Sequence, residues 1–349
     1  MKTAFCAVSF SMGVIGTSVF IAEEKMKLSL VKVALLAGAL VSAPFAANAE
    51  IVLRLAENQP DTNPVTMAMH KFAELVGEKT NGEVRVEVYS GAQLGQEPET
   101  IEQAQAGIID FARVNSVVLA NVSPSVGVFT LPYIFKNSEH KYKILDSEIG
   151  DKVRKDLEQI GLIGFQFMEA GTRNFYTGEN KKIESIEDMK GLKIRVQPAP
   201  ISIKMVELLG ATPTPMNYGE VFSALQSGVI DGAENDYVSY YTSSHYEAAP
   251  YIVEDGHLSP PAILLMNKAK FDSLEPDFQN AILEAGKEAA LFEREAMFKA
   301  NEEAKQKVID AGVTVTTIDN SKFKEAVQPL YAEYPALSEL VAEIAAFDQ

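Results

Sequence analysis

From Glu50 onward the chain repeats one arrangement, a short run with strand periodicity followed by a stretch with helical periodicity. IVLRLA at 51–56 is a strand pattern, and Pro64 to Lys79 places Val65, Met69, Phe72, Leu75 and Val76 on one helical face. Thr80-Asn81-Gly82 stops that helix, and VRVEVY at 84–89 alternates with period two. The pattern then predicts a helix over Ile101–Ala106, a buried strand over Ile108–Val114 and one long amphipathic helix over Ser138–Ile160. Strands at 162–169, 173–177 and 193–196 and helices over Ile201–Leu209 and Tyr218–Gln226 follow. Such alternation implies an α/β fold with mostly parallel sheets covered on both faces. Asp277–Ala311 is almost continuous helix former with Gly286 as its interior breaker, which predicts a long helix or a kinked pair able to tie two lobes together. No low-complexity linker divides the chain, so the lobes are expected to exchange segments through strand crossovers. The expected division is residues 50–172 plus 262–301 in lobe I and 173–261 plus 302–349 in lobe II.

The first 49 residues read differently. From Met26, lysines at 27 and 32 precede an apolar run from Val33 to Val41 and an Ala47-Asn48-Ala49 cleavage site. That is the layout of a signal peptide, and the run is too short to cross a bilayer at about 20 residues per span. Residues 1–25 read as an N-terminal extension upstream of that signal, and the mature chain is expected to begin at Glu50. Residues 1–49 carry four lysines, two glutamates and Cys6, so their removal takes the net charge from −17 to −19 and leaves no cysteine. A mature chain of this kind has neither disulfides nor thiolate metal sites. Its acidity argues against nucleic acid and anionic membrane surfaces as partners.

Motifs for catalysis are missing. The four histidines at 70, 140, 245 and 257 are dispersed, with no metal-ligand spacing among them. The chain has no G-x-S-x-G elbow, no phosphate-binding G-x-x-x-x-G-K-[ST] loop and no G-x-G-x-x-G after a strand. Acidic side chains number 48, so any pairing of two as acid and base carries no information. The reading is a protein that is not an enzyme, with no cofactor and no metal.

Arginine is scarce, seven among 31 basic residues, so its positions inform. Arg195 lies near the carboxyl end of the 193–196 strand, where open α/β sheets place ligands. Arg173 begins a strand after Gly171-Thr172, and Arg113 closes the expected 108–114 strand. Three arginines at strand ends suggest a positive cleft in a negative protein, and a guanidinium offers a planar two-donor fork for a carboxylate. Internal salt bridges are the competing explanation for each.

Several segments in fixed order carry a family resemblance: AENQPDTNPVTMAMHKFAE, YSGAQLGQE, TLPYIF, GTRNFYT, MKGLKIRVQPAP, GATPTPMNYGEVFSALQSGVIDGAEN and the closing long helix. From Glu50 to about Ala336 the chain resembles the substrate-binding subunits of tripartite ATP-independent periplasmic (TRAP) transporters, the DctP-like family. The resemblance implies a two-lobe periplasmic binding protein fold with mixed sheets, segment-exchanging lobes and a long C-terminal helix. It implies a small organic acid as ligand, integral membrane transporter subunits as partners, a periplasmic location and a monomer. By the same resemblance Arg195 pairs two-pronged with the ligand carboxylate, Arg173 supports that carboxylate or a neighbouring hydroxyl, and Asn235 contacts the same end. Tyr218 would pack against the ligand, with Glu97 and Asn58 as further polar contacts.

Members that bind sialic acid carry an acidic residue in the strand where this chain has Arg113. A third arginine with Glu97 nearby is similar to the uronate-binding members and points to a compact acid rich in hydroxyls, a glucuronate or galacturonate. Four-carbon dicarboxylates, another carboxylate ligand, a secreted sugar-acid enzyme and a receptor subunit in signalling stay open at this point.

Overall fold

The computed structural model describes residues 50–347; the expected signal segment lies outside them. Two sheets organise the chain. In the first, β2 (Val84–Tyr89), β1 (Ile51–Ala56), β3 (Phe111–Asn115), β10 (Pro261–Asn267) and β4 (Leu162–Glu169) lie side by side in that order. In the second the order is β11 (Thr314–Thr317), β9 (Tyr251–Leu258), β5 (Arg173–Thr177), β8 (Gly232–Asn235), β6 (Lys193–Val196) and β7 (Thr212–Pro215).

The sheets are mixed rather than mostly parallel. β1 runs parallel to β2 and β3, but β10 runs antiparallel to both β3 and β4. In the second sheet β5 is antiparallel to β8 and β9, while β6 is parallel to β7 and β8 and β9 to β11. The cause is two short links. β4 passes into β5 through Ala170–Thr172, and β9 passes into β10 through Ser259 and Pro260. Parallel neighbours need a crossover of a dozen residues or more, so strands joined across the two sheets by such links return antiparallel. The pairs β4–β10 and β5–β9 thereby form one two-stranded ribbon through both sheets.

The helices follow the sequence with local differences. In α1 (Pro64–Lys79), Asn63 caps the start by accepting the Val65 N–H at 3.0 Å. The next helix, α2 (Glu97–Gln105), starts four residues before the periodicity suggests, because Pro98 fits the first turn of a helix. The expected helix over 138–160 is broken into α3 (Ser138–Leu145), α4 (Glu148–Asp156) and a 3-10 turn over Leu157–Ile160. Ser147 makes the break: its hydroxyl accepts the Ile149 N–H at 3.1 Å and caps α4. Further on stand α5 (Pro200–Leu208) and α6 (Tyr237–Thr242).

The long helix, α7 (Pro276–Asp310), is continuous over 35 residues. Gly286 does not interrupt it; a Cβ there would overlap the Phe165 ring, so the glycine serves close packing on β4. The amino-terminal half of α7 buries Ile282, Ala285, Ala289 and Ala290 in a core with Leu53, Phe72 and Phe111. Its carboxyl-terminal half buries Met297, Ala304 and Val308 in another core with Tyr176, Tyr240 and Ile252. After α7 come α8 (Ser321–Val327), where Lys322 pairs with Glu187 at 3.0 Å, and α9 (Ser338–Ala346). Glu343 of α9 pairs with Lys152 of α4 at 3.5 Å, so the chain end returns to elements that pack on the first sheet. No described helix is long and apolar enough to cross a membrane.

Candidate ligand-binding site

Where β1, β3, β6 and β8 end, the chain forms a polar cavity, partly open to solvent. Strand ends free their side chains from the ladder, and the crevice beyond them is where α/β sheets hold ligands. All seven residues expected from the sequence line this cavity: Arg195, Arg173, Asn235, Glu97, Tyr218, Arg113 and Asn58.

The three arginines differ in what they meet. Arg113 is clamped by Glu57: its Nε donates to Glu57 Oε2 at 2.6 Å and its Nη2 to Oε1. It also reaches Glu97 Oε1 at 3.2 Å and Asn58 Oδ1 at 2.7 Å. Arg173 is clamped by Glu234 through Nε and Nη2, while its Nη1 donates to Asn235 Oδ1 at 2.7 Å. Arg195 stands apart. It is 2% exposed, donates through Nε and Nη2 to the Met216 carbonyl at 3.1 and 2.9 Å, and among the described residues has no carboxylate partner. Burial weakens its hold on the proton, and the nearby Arg173 adds to that against the pull of Glu234. The Tyr218 ring lies 6.0 Å from the guanidinium, its hydroxyl bonded to Ser243 Oγ at 2.6 Å.

Behind Arg173 a buried relay continues. Glu234 lies 3.6 Å from His257 Nε2, and His257 Nδ1 lies 2.7 Å from Asp255 Oδ2. Burial alone would raise the Glu234 carboxyl, but Arg173 and His257 outweigh it and hold it at about 2. Burial would likewise lower His257, yet Asp255 and Glu234 raise it to about 9. On the other wall Glu97 Oε1 accepts the Asn115 N–H at 2.9 Å. Burial pushes the Glu97 carboxyl up against the opposing pull of Arg113 and that N–H.

Sequence reasoning missed Glu57, Glu234 and His257. The first two stand beside the residues it singled out, in Glu57-Asn58 and Glu234-Asn235, and a buried arginine at a strand end calls for a nearby carboxylate. That signal was available but not unique among 48 acidic residues.

Two lobes joined by crossing strands, with a polar cavity at the strand ends, define a two-lobed solute-binding protein. The chain belongs to the bacterial extracellular solute-binding protein family 7 (DctP), whose sequence model matches residues 55–336. The family is one of solute-binding proteins rather than enzymes. A solute-binding protein from Chromohalobacter salexigens is 37% identical over 329 residues, 92% of this chain and 98% of the relative. A TRAP periplasmic solute-binding protein from Xanthobacter autotrophicus Py2, solved with bound β-D-galacturonate, superimposes with a TM-score of 0.82 at 40% identity, covering 84% of this chain and 99% of that one. Another from Pseudomonas putida F1, solved with bound D-glucuronate, gives a TM-score of 0.83 at 33% identity, covering 86% and 98%.

Proposed function

We propose that the protein captures a hexuronate, D-glucuronate or D-galacturonate, and delivers it to the integral membrane subunits of a TRAP transporter. It acts in the periplasm as a monomer, after cleavage behind Ala49. The observation that carries this reading is Arg195, a buried guanidinium with no carboxylate partner among the described residues, in a cavity whose other arginines are already paired. A ligand carboxylate supplies the counter-ion that a buried charge requires. The two relatives solved with uronates support the same class of acid.

In this reading Arg195 holds the carboxylate, Arg173 and Asn235 fix the same end, and Tyr218 packs against the sugar ring. Glu97 and Asn58 face the hydroxyls, and Arg113 holds Glu57 and Glu97 in place. The lobes divide as 50–172 plus 262–301 and 173–261 plus 302–349, with the last helix crossing back onto the first. They close about the two-stranded ribbon because the closed form binds ligand more tightly than the open one.

The test is a thermal-shift panel of glucuronate, galacturonate, gluconate, succinate, malate, pyruvate and sialic acid at millimolar concentration. A ligand at a thousandfold excess over Kd stabilises the folded state by about 4 kcal/mol, a shift of several degrees. The uronates should give the largest shift. Shifts from succinate or malate without one from the uronates would defeat the reading. Mass spectrometry of the periplasmic form should give a chain beginning at Glu50.

A further inference from the structure

The cavity contains more acceptor atoms than the protein itself answers. Asp236, directly after β8, is 1% exposed and lines the cavity. Its Oδ1 accepts the Ser239 N–H at 3.0 Å and caps α6, while its Oδ2 has no hydrogen-bond partner. The Gln59, Gln96 and Gln197 side-chain oxygens around the same cavity are also buried without a partner. A glutamine amide can turn and present its nitrogen instead; a carboxylate offers an acceptor in either orientation. Capping α6 does not call for this arrangement, since serine and asparagine cap equally well and carry no charge into the interior. Nor does Arg173 answer Oδ2, because its donors go to Glu234 and Asn235.

We propose that Asp236 is a specificity-determining contact: its Oδ2 accepts a hydroxyl of the sugar acid held by Arg195, and its carboxylate turns away ligands bringing a second carboxylate to that place. The proposal rests on the sugar-acid reading above. A site built to hydrogen-bond a hydroxyl rejects ligands that lack it, because the buried acceptor is then left unpaired. Glu97, held by Arg113 and the Asn115 N–H, gives the cavity a second buried carboxylate.

The test uses the mature protein and its Asp236→Asn and Asp236→Ser variants, both of which keep the Cβ and the helix cap. D-glucuronate, D-galacturonate and succinate are titrated by calorimetry, with competition for weak binders, beside the ligand-free melting temperature of each variant. Uronate affinity should fall at least about tenfold in both variants, and the uronate-to-succinate affinity ratio should fall with it. Unchanged affinity and ratio would overturn the proposal. A loss shared equally by every ligand would also overturn it, marking Asp236 as a structural support. If one variant does not fold, the other is decisive. If the wild type binds no hexuronate, the sugar-acid reading fails in the parent protein, a result distinct from failure in the variants alone.

Discussion

Gly171 lies so close to Asp236 that a Cβ on the glycine would stand 2.1 Å from the aspartate Cβ. Gly171 belongs to the three-residue link between β4 and β5 and has φ +76°. The point where the chain passes between the sheets is therefore packed directly against the end of β8 that lines the cavity.

The Gly171→Ala variant meets two costs, a left-handed backbone that disfavours a side chain and an overlap with Asp236. It should lose at least about 2 kcal/mol of stability, seen as a lower melting temperature, and ligand affinity should fall as Asp236 is displaced. Wild-type melting and affinity in this variant would show that the link tolerates a side chain.

Arg195→Ala should weaken uronate binding at least about thirtyfold, since removing one partner of a buried charge pair costs roughly 2–5 kcal/mol. Arg195→Lys should lose much of the same affinity, because an ammonium cannot make the two-point contact. Titration calorimetry separates these; full affinity in the lysine variant would rule out the forked pairing.

Stability should depend on pH through Glu234 and His257. Glu234 is held at about 2, below the ordinary carboxylate value of 4.5, so its contribution is complete above 4.5 and disappears as pH falls through 2. His257 is raised to about 9 from 6.5, so its contribution is complete below 6.5 and disappears as pH rises through 9. Together they give a plateau between pH 4.5 and 6.5. Melting temperatures recorded from pH 6.5 to 9 should decline in the wild type and decline less in His257→Gln. An equal decline in both would remove His257 as the source.

Arg195 was legible in the sequence because arginine is rare here and this one sits near a strand's end. Its lack of a carboxylate partner was not, since that depends on where Glu57 and Glu234 spend their charges. Arg113 meets Glu57 across 56 residues of chain and Arg173 meets Glu234 across 61, pairings that no local pattern encodes. The strands β1 to β6 were readable from periodicity, but β7 to β11 were not picked out, and the strand directions were not legible because two links of two or three residues fix the antiparallel ribbon. The division of the 138–160 stretch was signalled by Ser147, whose capping side chain competes with helix continuation.

The long helix has one further consequence. Its first half is sealed into one core and its second half into another. At about 1.5 Å per residue it is a continuous rod of roughly 50 Å. Melting either core strips half of that rod of its packing, and packing of this kind supplies most of a helix's stability in a protein. The two cores are therefore expected to lose order together, so that a melting curve of the whole molecule shows one transition rather than two.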